Sequence, residues 1–77
     1  MRRSEIMRLT DAETKIPYYV VAMEHTAGKK HRLQRLGITN SAQILVVNKK
    51  RSGDMIIKAG GVRIALDMVY AKEIFVG

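Results

Sequence analysis

The chain has no cysteine and no tryptophan, a single proline and a single phenylalanine, and half as many acidic residues as basic ones. Without cysteine there is no disulfide framework, no thiolate metal site and no cysteine nucleophile, which fits a reducing compartment. The seven carboxylates, Glu5, Asp11, Glu13, Glu24, Asp54, Asp67 and Glu73, are scattered along the chain. Paired catalytic carboxylates need a cleft that drives their proton affinities apart. A Gly-x-Ser-x-Gly elbow, a phosphate-cradling glycine loop with its lysine, and a His-x-x-x-His pair are all missing. The expectation is therefore a non-enzymatic chain without a cofactor. The longest apolar run, residues 16–23, is far short of the ~20 residues that cross a bilayer. Residues 1–8 are basic but lack the apolar centre of a secretory signal. A soluble, cytoplasmic protein is expected.

What is present is charge and short apolar segments. Fourteen lysines and arginines give a formal charge of +7 on 77 residues, enough to favour nucleic acid, an anionic membrane face or an acidic protein, or simply to keep a small domain soluble. A chain of this length makes one domain that hides roughly 60% of the surface its unfolded form exposes. Residues 16–23, rich in β-branched and aromatic side chains, read as a strand with Pro17 near its start. Thr26 is a candidate cap for a helix over residues 29–36. Leu33 and Leu36 share one face of that helix and Arg32 and Arg35 the next, while Gly37 ends it and Ile38 lies just beyond. The leucines and Ile38 are expected to hold the helix against the core.

Residues 43–47 form a second strand, and the loop 49–54 carries Gly53 for a positive φ. Residues 55–59 return as a third strand, with Met55 in the core, before a tight Gly60-Gly61 turn. In residues 62–67, Val62, Ile64 and Leu66 point inward, Arg63 and Asp67 outward, and small Ala65 sits between. A helical turn over residues 68–72 leads to a last strand, 73–76. Five short strands, one short helix after the first strand and a helical turn before the last make a mostly β, SH3-like five-stranded barrel, whose closure removes exposed edges.

These residues carry a resemblance. Arg32-Leu33-x-x-Leu36-Gly37-Ile38, the apolar strand at 44–47, Gly61-x-Arg63-Ile64-Ala65-Leu66 and Ala71-x-x-Ile74-x-Val76 resemble the ferrous iron transport protein A family (FeoA). On this resemblance the domain covers residues 7–77, beginning with Met7-Arg8-Leu9-Thr10-Asp11-Ala12; residues 1–6 form an extension, or Met7 is an alternative start. Leu33, Leu36, Gly37, Ile38, Ile64, Ala65, Leu66 and Ala71 are its structural signature. Two departures stand out. Thr14-Lys15-Ile16 replaces a stretch where the family often has glycine, and Asn40-Ser41 replaces a Pro-Gly. Asparagine tolerates left-handed backbone, so the second turn can form.

The resemblance implies a cytoplasmic accessory protein that acts on the cytosolic region of a membrane ferrous-iron transporter with a GTP-binding domain (FeoB). Similar barrels occur as C-terminal domains of iron- and manganese-dependent repressors. The iron association raises transition metal ion binding, for which His25 and His31 are the weak candidates; the plainer expectation is two surface histidines and no bound iron. The basic residues fall in two runs, Lys29, Lys30, Arg32 and Arg35 on the helix and Lys49, Lys50 and Arg51 in the hairpin loop. Lys29, Arg32, Arg35, Lys49, Lys50 and Arg51 are the candidate partner-binding residues, steering the domain onto an acidic partner or the inner membrane face. The alternative is a small basic nucleic-acid-binding barrel, but Tyr18, Tyr19, Tyr70 and Phe75 make no interleaved stacking platform, so nucleic acid is not the expected partner. Tyr18, Met23 and Met68 are left open between core and an apolar groove, and weak homo-oligomerisation is left open too.

Overall fold

The five expected strands form in order, and a sixth precedes them. The computed structural model describes residues 5–77, so most of the expected extension, residues 1–4, lies outside the described residues. The elements are β1 (Met7–Arg8), a 3₁₀ turn (Leu9–Asp11), β2 (Pro17–Met23), α1 (Ala27–Arg35), β3 (Gln43–Lys49), β4 (Met55–Ala59), β5 (Val62–Leu66), α2 (Met68–Ala71) and β6 (Ile74–Val76). All neighbours in the sheet, ordered β1-β6-β2-β3-β4-β5, are antiparallel. Strand β2 joins the two halves: Pro17, Tyr18 and Tyr19 pair with β3, whereas Val20, Ala22 and Met23 pair with β6 across a register shift. Such an irregularity bends a strand and increases its twist, which lets one sheet wrap around a single core. Alternate residues fill that core, among them Val20, Ile44, Val46, Ile57, Ile64 and Val76, with Leu9 and Leu33 closing it from the turn and the helix.

Closure is not carried through to hydrogen bonding. Among the described residues, strands β1 and β5 end the strand order without pairing to each other, and no further strand pairs with the outer side of β5. Val62, expected inward, is exposed because it opens β5 directly after the Gly60-Gly61 turn. Those two glycines have φ of 59° and 80°, the two positive values that a two-residue type I′ hairpin turn requires.

Helix α1 starts two residues before the expected position, after Thr26, whose extended backbone occupies the N-cap position without a side-chain cap bond. Its other end is closed by backbone bonds. Ile38 N–H donates to the Leu33 carbonyl at 2.9 Å and Gly37 N–H to the Gln34 carbonyl at 2.9 Å, with Gly37 at φ 91°. This is a Schellman ending, in which the residue beyond the cap packs back under the last turn. Leu33 and Ile38 make that buried pair, at 1% and 0% exposure. Leu36, expected to share their role, is the cap residue itself and remains 50% exposed. The chain reverses at Gly37, so Ile38 takes the place beneath the helix that Leu36 was expected to fill.

The β3–β4 loop docks on α2. Asp54 Oδ1 accepts the N–H of Met68, the first residue of that helix, at 2.9 Å. Gly53, at φ 96°, lies so close that a Cβ there would sit 2.6 Å from Met68 Sδ. The turn at residues 39–41 forms as expected, but Ser41 rather than Asn40 carries the positive φ, 72°. Among the described residues, Lys15 is the other non-glycine residue in that region, at φ 68°.

Candidate functional site

Tyr70, on α2, joins three residues from the segment between β2 and the end of α1. His25 is 6% exposed, so it is a buried residue and not the surface histidine expected. It lies just past β2, where the chain turns toward α1. Its Nε2 is 2.7 Å from the Tyr70 carbonyl oxygen; a carbonyl only accepts, so Nε2 carries the hydrogen of this bond. The two rings stack with centroids 5.9 Å apart at 30°. One turn into α1, Lys29 Nζ lies 5.7 Å from the centre of the Tyr70 ring, within the range of a cation–π contact. Arg32 Nη1 donates to the Tyr70 hydroxyl at 3.2 Å. Tyr70 thus ties α1 to α2 through its carbonyl, its ring and its hydroxyl.

Beside this junction runs a groove of about 200 Å³. Leu33 of α1, its cap residue Leu36 and Leu66 of β5 give it apolar walls; Ala65, Asp67, Tyr70 and Arg32 complete it. Arg32 and Leu36 continue onto a shallower surface shared with Arg35. The groove therefore has apolar walls, a rim of two guanidiniums and one carboxylate, Asp67. It has the chemistry to seat an aliphatic side chain next to negative charge. The half-exposed Leu36 now has a place: it is a wall of the groove.

The candidate residues separate accordingly. Lys29 and Arg32 converge on Tyr70, and Arg35 joins Arg32 at the rim. The hairpin set is not part of this surface: Lys49 donates to the Thr10 carbonyl at 3.2 Å, and Lys50 and Arg51 are exposed in the β3–β4 loop. Of the signature residues, Leu33, Ile38, Ile64, Leu66 and Ala71 are core. Ala65 is exposed at the groove. Met55 is buried as expected; Tyr18 and Met23 pack partly against the core and Met68 is exposed. Sequence reasoning missed Tyr70 and Asp67 because nothing in their local pattern marks contacts so distant along the chain.

A metal does not fit these residues. Among the described residues, no group of three or more His, Cys, Asp or Glu side chains is placed to hold an ion. Among the described residues His25 Nδ1 is buried without a hydrogen-bond partner, but one imidazole nitrogen without further ligands is not a site for a borderline metal. His31 is exposed on α1. The aromatic residues make no stacking platform either, since Tyr19 is exposed while Tyr18, Tyr70 and Phe75 are half-buried. Among the described residues, no helix is long and apolar enough to cross a membrane.

Comparison with known proteins bears on this arrangement. The family model described as the FeoA domain matches residues 7–77. Among solved structures, an iron uptake regulatory protein (FeoA) is similar at 26% identity and a TM-score of 0.85, over 96% of this chain and 97% of that one. A FeoA from Stenotrophomonas maltophilia, solved in complex with zinc and described as a prokaryotic SH3 domain protein and candidate ferrous iron transport activating factor, is similar at 24% identity and a TM-score of 0.77, over 92% of this chain and 89% of that one. A manganese-dependent transcriptional repressor shares the fold at 14% identity and a TM-score of 0.86, over 97% of this chain but 37% of the repressor. The fold is SH3-like. No curated protein matches the chain.

Proposed function

The chain belongs to the FeoA domain family, and from that membership we propose that it is a cytoplasmic, non-enzymatic accessory protein of ferrous iron uptake. It acts by protein–protein contact on the cytosolic region of a membrane ferrous-iron transporter with a GTP-binding domain (FeoB). The match across residues 7–77 carries this reading. The groove beside Tyr70 supports it, because an apolar recess with an arginine rim suits a protein partner better than a reacting small molecule. Arg32, Arg35 and Lys29 supply the steering charge, with Lys49, Lys50 and Arg51 as a separate basic tip that adds long-range attraction.

The test is retention of the transporter. Tagged protein is incubated with solubilised membranes containing the transporter, with and without guanine nucleotide. Specific retention in at least one nucleotide state, reduced by Arg35→Glu, is expected. No retention in either state overturns the proposal.

A further inference from the structure

We propose that the open edge of β5, with the groove beside it, binds an extended acidic segment of the partner as an added strand. This deepens the accessory reading and rests on it. The geometry begins at the Gly60-Gly61 turn. In a two-residue hairpin the flanking residues, here Ala59 and Val62, hydrogen-bond to each other, and bonded pairs then alternate along the ladder. The register pairs Ile64 with Ile57 and Leu66 with Met55, so these pairs, like Ala59 and Val62, are bonded across to β4. The N–H and C=O groups of Arg63 and Ala65 therefore point away from the sheet. No backbone hydrogen bond among the described residues outside the ladder reaches either residue. They are free to pair with an incoming strand.

Side chains at the same edge specify what that strand contains. Ala65 is small and exposed, and it lines the groove with Leu36 and Leu66. An aliphatic residue of the incoming strand would enter there. Charge decides its neighbours: Arg63 is exposed on the edge strand itself, and Arg32 and Arg35 stand on the facing rim. Arg32 donates one N–H to a neutral hydroxyl rather than to a carboxylate, leaving its charge available to a ligand. Glutamates or aspartates alternating with aliphatic residues complement this edge. A second copy of the chain does not, because each carries a net charge of +7 and pairing would set Arg63 against another basic edge. Asp67 is the single carboxylate of the groove and marks the end at which an acidic residue is unwelcome.

The experiment uses the full chain labelled with ¹⁵N and three probes: a short synthetic peptide alternating glutamate with valine and leucine, its lysine counterpart, and the glutamate peptide with alternate backbone nitrogens methylated. The glutamate peptide is expected to bind and to slow amide exchange at Arg63 and Ala65 by about tenfold or more, and binding should weaken with salt. The methylated and lysine peptides should bind at least about tenfold more weakly. Ala65→Pro, which removes one outward N–H and no bond to β4, should lose the binding; the methylated peptide tests the same bond without altering the protein. Equal binding of the lysine peptide, no loss on methylation, or β5 protection by self-association instead of peptide would overturn the proposal. The transporter's cytosolic region is then added in place of peptide. If it binds without protecting Arg63 and Ala65, the strand site fails and the accessory reading stands. If the glutamate peptide protects β5 and the transporter region does not bind at all, the strand site stands and the accessory reading fails.

Discussion

The Nε2–H of His25 donates to the Tyr70 carbonyl across 2.7 Å, and the two rings stack with centroids 5.9 Å apart. A buried imidazole therefore holds α2 against the start of α1, and a single substitution separates its two contributions. His25→Phe keeps an aromatic ring over Tyr70 but leaves the carbonyl without its donor, an unmade bond that costs about 1–3 kcal/mol when buried. Removing the unpartnered Nδ1 offsets part of this. A net loss near 1 kcal/mol is expected, lowering the midpoint of thermal unfolding by about 4–8 °C for a domain of this size. An unchanged or higher midpoint would show that the bond contributes nothing.

Leu33 and Leu36, three residues apart, should respond in opposite ways. Leu33→Ala empties a fully buried position in the Schellman ending and should cost about 2–5 kcal/mol. Leu36→Ala removes a half-exposed groove wall and should change stability by no more than about 0.5 kcal/mol, while weakening partner binding. Paired urea titrations read the first difference and a binding titration the second. Equal destabilisation by both would put Leu36 back in the core.

The contrast between these leucines shows how much was legible in the chain and why the rest was not. Gly37 and Ile38 could be read because a helix ending is settled within a few residues by backbone geometry. The hairpin at Gly60-Gly61 and the inward Ile64 and Leu66 follow from short-range alternation in the same way. Leu36 was misplaced because spacing puts it on the face of Leu33, and spacing cannot register that the chain turns back beneath the helix at Ile38. The contacts at Tyr70 were out of reach for a different reason: His25 and Arg32 meet it across 45 and 38 residues of chain. Strand β1, only Met7–Arg8, is too short to show any period.

Two non-glycine residues with positive φ invite substitution. Lys15 and Ser41 are held there by hydrogen bonds, Lys15 N–H to the Val46 carbonyl at 2.9 Å and Ser41 N–H to the Val20 carbonyl at 2.8 Å. A left-handed backbone costs a residue with a Cβ about 1–2 kcal/mol, and glycine avoids this while losing more entropy on folding. Lys15→Gly and Ser41→Gly should each raise stability by about 0.5 kcal/mol, and together by about twice that. The urea midpoint should rise without a change in slope. A fall in the midpoint for either variant would mean that its side chain contributes more than its backbone conformation costs.

Asp54 caps α2 from a loop fourteen residues earlier in the chain. Asp54→Ala should cost about 1 kcal/mol, as removal of a helix cap does, and should speed amide exchange at Met68 in particular. Asp54→Asn keeps an acceptor oxygen and should recover most of the loss. Exchange at Met68 that is equal in all three proteins would assign the helix start to packing alone.

Arg35 offers the cleanest separation of binding from folding. Arg32 is tied to the Tyr70 hydroxyl, so reversing its charge also breaks a contact within the fold. Arg35 is exposed at the rim of the groove. Arg35→Glu should therefore leave the unfolding midpoint within the spread of ordinary surface changes, about 0.5 kcal/mol. It should weaken binding to the transporter's cytosolic region mainly through slower association, with the difference from the unaltered protein shrinking as salt screens it. Stopped-flow association at two ionic strengths measures both effects. Unchanged affinity at low salt would remove the α1 rim from the binding surface and leave the basic β3–β4 tip, Lys50 and Arg51, as the place to look for the steering charge.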